Sequence, residues 1–159
     1  MSDRMSILTE LEAFPSFLRD AAPRADVETA RRPGPAGTFS LVEQAWHLAD
    51  LEREGYGLRI RRLLAEDRPT LPDFDGARAA REGNYRARSL DDGVATFAAA
   101  RAENVRLLRS LSPEAWGRVG TQEGVGQIRV EDVTRMMRDH DAAHRREIEG
   151  LPEVGTPAA

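Results

Sequence analysis

The sequence predicts an all-α fold. Apolar residues recur at three- and four-residue spacing in four separate segments, no segment shows the strict alternation of a half-buried strand, and proline- and glycine-rich stretches separate the periodic runs. The chain has 159 residues, the size of one domain, and no internal repeat, so a single domain over 1–159 is expected, with about 151–159 as a flexible tail.

In the first segment Ile7, Leu11, Phe14 and Leu18 form one stripe, which Pro15 should kink or split because it lacks an amide hydrogen. Residues 21–37 hold three prolines and two glycines and read as a loop. Ser40 and Glu43 form a capping box that starts the second helix, which should run to about Ala65. Its apolar positions cover a wide arc, wider than one core can receive, which points to a homodimer. Pro69 and Pro72 stop it, and residues 68–88 form a long link in which Ala77 to Tyr85 can make a short helix; links of this length are often functional. Ser89, with Asp91 and Asp92 in the first turn, starts the third helix, which ends near Leu111. Ser112-Pro113-Glu114 caps a short turn carrying Trp116, and the glycine-rich stretch 117–126 reads as a loop. The fourth helix spans about Arg129 to Glu149, with Gly150 as its C′ residue.

Composition excludes several functions. The net charge of −4 argues against a nucleic-acid partner. All 23 basic residues are arginine, spread from Arg4 to Arg146 among abundant alanine, glycine and proline, as a GC-biased coding sequence would produce. No apolar run spans a bilayer and the first residues lack a signal peptide's continuous apolar stretch, so a cytoplasmic protein with no membrane partner is expected. There is no cysteine, hence no thiolate ligand or cysteine nucleophile, and any sulfur chemistry needs a borrowed thiol.

The three histidines carry the functional case. His140 and His144 lie one turn apart in the fourth helix, in line with Val133, Met137 and Ile148, and so project from its apolar stripe. Imidazoles buried side by side are costly unless something satisfies both, and histidines at i and i+4 are a bidentate metal site by geometry. Asp141-Ala142-Ala143 intervenes, so the zinc-protease motif is absent. His47, at the flank of the second helix's apolar arc, can face the same interior and complete a facial set that leaves positions open for water or substrate. The other assignment has His140 and His144 capping core hydrogen bonds and His47 at the surface. Glu43, Asp50 and Glu147 are spaced to orient imidazole rings, although each has an ordinary structural role available. Tyr56 and Trp116 could line a pocket or fill the core, and Arg145 and Arg146 could attract an anion or compensate a helix dipole.

The segment Phe39-Ser40-Leu41-Val42-Glu43-Gln44-Ala45-Trp46-His47-Leu48-Ala49-Asp50-Leu51-Glu52 and the pair in His140-Asp141-Ala142-Ala143-His144 resemble the second-helix and fourth-helix signatures of the DinB-like proteins, which include bacillithiol and mycothiol transferases. The resemblance covers nearly the whole chain, with Phe39 where the family often has tryptophan. It implies a four-helix bundle with a long link between helices 2 and 3, and a divalent metal, zinc or nickel, held by His47, His140 and His144. It also implies a homodimer acting on a small-molecule substrate. The activity expected on this basis is transfer of a low-molecular-weight thiol to an electrophile. A metal-dependent hydrolase and a non-catalytic metal-binding bundle are the alternatives.

Overall fold

The computed structural model describes residues 3–152 and 154. Four long helical stretches make the bundle: α1 (Asp3–Ala21), a second stretch of α3 (Leu41–Asp50) and α4 (Leu58–Ala65) joined by a wide π-helical segment over Leu51–Gly57, α6 (Leu90–Arg109) and α7 (Val130–Glu149). Helix α1 packs on α6 and α7, α3 on α6, and α4 on α7. Short helices α2 (Val27–Arg31) and α5 (Gly76–Glu82) lie in the two connections. The second helix begins at the expected capping box: the Ser40 hydroxyl accepts from the Glu43 amide and the Glu43 carboxylate accepts from the Ser40 amide. Ser89 caps α6 as its position in the sequence predicts.

Several expectations need correction. Helix α1 is not split at Pro15. Proline removes the amide that would bond the Leu11 carbonyl four residues back, and the Arg101 guanidinium donates to that oxygen instead, at 2.9 Å. The stretch 117–126 is not all loop. Strand β2 (Val119–Gln122) pairs antiparallel with β3 (Gly126–Arg129) and parallel with the two-residue β1 (Thr70–Leu71), and Gly124 and Gly126, both with positive φ, make the turn of the hairpin. Four-residue strands are too short to register as alternation. Gly150 ends α7 with right-handed backbone angles, not as a left-handed C′ residue. In the expected tail Leu151 and Val154 are buried in the core, whereas residues 153 and 155–159 lie outside the described residues.

The wide apolar arc of the second helix also has an internal explanation. The π-helical segment inserts an extra residue into the helical repeat and turns α4 relative to α3. Leu41, Val42, Ala45, Leu48 and Ala49 before it, and Ile60 and Leu63 after it, are therefore all buried within one chain. The arc needs no second copy to cover it, and the case for a homodimer rests on the family resemblance alone. Gly57 permits the wide turn: a Cβ there would lie 2.6 Å from the Glu52 carbonyl oxygen, which accepts from the Asn104 side chain at 3.0 Å.

The core is divided. One cluster gathers Phe14, Leu18, Trp46, Phe97 and Ile148, and the other Leu8, Leu11, Ile60, Leu108, Val133 and Met137. Between them lies a polar layer centred on Arg101, which is 1% exposed. Its guanidinium bonds both oxygens of Glu52 and both of Asp141 at 2.7–3.0 Å.

Candidate metal centre

The three histidines meet in the interior between α3 and α7. One nitrogen from each lies within 4.8 Å of the others, and the ring centroids are 4.2–5.3 Å apart. His47 and His144 are buried and His140 is half-buried, so the set is open on the His140 side. All three are held neutral. Burial, then the charge of His144, pushes His47 down to about 4, while burial and the other two rings push His140 down to about 2. Burial lowers His144 as well, against the opposing pull of Glu147.

The surroundings prepare the lone pairs. His144 Nδ1 stands 2.5 Å from Gln44 Oε1, an oxygen that can only accept, so the proton sits on Nδ1 and Nε2 is left bare. The orientation of Gln44 follows from its other contact, in which its Nε2 donates to Glu147 Oε2 at 2.7 Å. His47 Nε2 faces His140 Nε2 at 3.2 Å. Two nitrogens that each lie ~2.0–2.1 Å from one zinc ion would be separated by roughly 2.8–3.4 Å, so the spacing fits a shared cation. His47 Nδ1 is buried without a hydrogen-bond partner among the described residues, so apart from the Nε2 contact with His140 this ring is fixed by packing. Phe39 lies 5.3 Å from it and Phe74 6.4 Å, between ring centroids. Gly76 closes on it so tightly that a Cβ would stand 2.8 Å from His47 Cε1. The long link 68–88 thus forms a wall of the site.

The other candidates separate clearly. Glu147 reaches the site through Gln44 and lies 3.4 Å from His144 Nδ1. Glu43 is occupied by its cap and by Arg86, and Asp50 accepts from Arg53 and the Tyr85 hydroxyl, so neither carboxylate orients His47. Asp50 acts on His47 only at a distance, as the weakest of three influences on its pKa. Tyr56 stands edge-on to His140, with centroids 5.8 Å apart. Trp116 belongs to the core cluster of Leu8, Leu11 and Met137, with Arg4 over its ring. Arg145 stacks on Phe17 toward α1, and Arg146 is exposed. Gln44 and Arg101 were not singled out from the sequence. Gln44 is a polar residue inside a buried face one turn before His47, and Arg101 stands on the stripe Phe97, Arg101, Val105, four residues from each neighbour.

A mainly helical bundle in which two crossing helices present three neutral imidazoles at one point defines the class: a helical protein with a facial tri-histidine cluster able to hold a cation. The chain belongs to the DinB superfamily, whose family profile matches residues 10–148. Among solved structures it is similar to YfiT from Bacillus subtilis, described as a probable metal-dependent hydrolase with an unusual four-helix bundle topology. The TM-score is 0.87 at 19% sequence identity, covering 95% of this chain and 87% of that one. No curated protein matches the sequence. Among the described residues no helix is long and apolar enough to cross a membrane.

Proposed function

We propose that this chain is a divalent-metal-dependent enzyme that transfers a low-molecular-weight thiol, of the bacillithiol, mycothiol or glutathione kind, to a small electrophile. The observation that carries this reading is the open set of three neutral imidazoles, one of them already fixed in the ligating tautomer by Gln44. His47, His140 and His144 would hold zinc or nickel. Bound there, the ion would supply a full positive charge that lowers the pKa of a nucleophile beside it.

The chain's own residues do the rest. Gln44 and Glu147 keep the His144 proton on Nδ1. Phe39, Phe74 and Tyr56 surround the rings with apolar surface that strengthens every charge interaction at the site. The carboxylates of Glu52 and Asp141 are tied to Arg101, which leaves the imidazoles as the donors. The lack of cysteine accords with a thiol brought by a cosubstrate.

Hydrolysis through activated water is the second reading, favoured by the description of YfiT. The test begins with metal content by elemental analysis of the wild type and of His47→Ala, His140→Ala and His144→Ala; each variant should lose metal while keeping its helicity. A panel of thiols with a fluorogenic electrophile follows. Conjugation that requires the metal and His140 supports transfer, whereas ester hydrolysis through the same histidines without conjugation replaces it with the second reading. Full metal retention in His47→Ala refutes the three-ligand centre.

A further inference from the structure

Arg59 forms no ion pair or hydrogen bond among the described residues. Its side chain is on α4, one turn after Tyr56, and the residue is only 4% exposed. Its Nε is buried without a hydrogen-bond partner, and among the described residues no ion pair or hydrogen bond reaches the guanidinium. The contrast with Arg101, the other buried arginine, is complete: that one meets two carboxylates and a carbonyl. A largely buried guanidinium that faces an aromatic ring and feels a carboxylate without pairing to it is under-compensated, and an anionic ligand would supply the missing partner. Arg59 is also placed toward the candidate centre. Its Cζ lies 5.5 Å from the Tyr56 ring, and that ring is the one edge-on to His140. Asp73, in the link that walls His47, acts on the Arg59 charge without forming an ion pair.

We infer that Arg59 receives a carboxylate of the substrate, one end of which lies at the three histidines while the other reaches past Tyr56 to the guanidinium. A single planar fork suits a carboxylate, which it can bind through two parallel hydrogen bonds. With Asp73 close by, the local charge is that of one cation partly offset, which favours a monoanion over a phosphate. The inference rests on the metal-dependent reading but not on the choice between thiol transfer and hydrolysis, because it concerns the group that anchors the substrate.

The experiment uses cobalt-loaded full-length protein and a series of hydroxamates, which bind metal whatever the reaction. The members end in either a carboxylate or a methyl group on methylene spacers of increasing length, and affinity is read from the cobalt absorption spectrum. At one spacer length the carboxylate should bind roughly tenfold or more tightly than its methyl counterpart, the gain expected of a charged hydrogen-bond pair. Arg59→Gln should abolish that preference and leave the methyl series unchanged, whereas Arg59→Lys, which keeps the charge, should retain part of it. Because Arg59 has no ion pair or hydrogen bond to lose, only its contact with the Tyr56 ring, the thermal midpoint of the ligand-free protein should fall by no more than a few degrees in either variant. If cobalt binds but no spacer gives a preference, or the preference survives Arg59→Gln, the inference fails and the metal centre stands. If the protein takes up no cobalt, the metal reading fails and the inference with it.

Discussion

Replacing Gln44 with leucine isolates the effect of the amide on the candidate centre. Leucine is of similar size, and the site is fully buried, so packing is nearly preserved. The hydrogen bond from His144 Nδ1, at 2.5 Å, is lost, and Glu147 loses the donor 2.7 Å away. Glu147 is partly solvated and recovers its partner from water, so the cost falls on the imidazole. A buried donor left without an acceptor costs about 1–3 kcal/mol, and with Glu147 Oε2 at 3.4 Å available as a replacement the lower half of that range applies. The loss to metal binding is separate. Without Gln44 the ring no longer has one enforced tautomer, and removal of such a partner costs about 10–100-fold in affinity. Competition against a chromophoric chelator measures the affinity, and urea unfolding measures the stability. Glu147→Leu added to Gln44→Leu removes the replacement acceptor and should weaken metal binding further. A purely structural role for Gln44 predicts lowered stability with affinity within twofold of the wild type. That outcome, in the single and the double variant, would refute the tautomer relay.

Arg101→Met should destabilise the protein by about 3–5 kcal/mol in urea unfolding, because it leaves Glu52 and Asp141 buried without a cation; neutralising both in Arg101→Met/Glu52→Gln/Asp141→Asn should recover much of the loss, and wild-type stability in the single variant would exclude the network's role. Gly76→Ala should weaken metal binding with helicity unchanged, since its Cβ would press on His47 at 2.8 Å and the ring must shift; undiminished affinity in the chelator assay would count against it. The metal-free protein should lose stability as pH falls from about 6.5 toward 4. His47 and His140 titrate at about 4 and about 2 when folded and near 6.5 when unfolded, so the unfolded chain binds more protons in this window, at up to about 1.4 kcal/mol per pH unit for each ring. Asp141, raised to about 6 chiefly by burial, acts in the opposite sense but offsets only one ring. A urea midpoint that is flat or rising between pH 6.5 and 5 would contradict neutral buried histidines.

The helices and the histidine cluster were legible because each rests on local rules. His140 and His144 share a face through helical spacing alone, and Ser40 with Glu43 marks a helix start by chemistry that both residues carry themselves. The partners of those histidines depend on how α3 crosses α7. Glu43 and Asp50 were equally well spaced along the helix, yet the side chain that meets an imidazole is Gln44, on another helix from His144. The polar layer was hidden for a different reason. An arginine in a chain without lysine looks like composition, and the break it makes in the stripe Phe97, Arg101, Val105 has meaning only when Leu11, freed by Pro15, and the two carboxylates converge there. The hairpin escaped because its strands are four residues long.

The wide turn over Leu51–Gly57 also sets how this gene can change length. An α-helix advances about 100° per residue, so losing one codon within that turn would remove the extra residue, restore the ordinary repeat and leave everything downstream in its present phase. Ile60 and Leu63 would stay in the core, and His47, upstream, would keep its place. A single in-frame deletion is therefore expected to be tolerated in this stretch better than in the α-helical turns that flank it, and the extra residue is the point of slack between the histidine and the arginine.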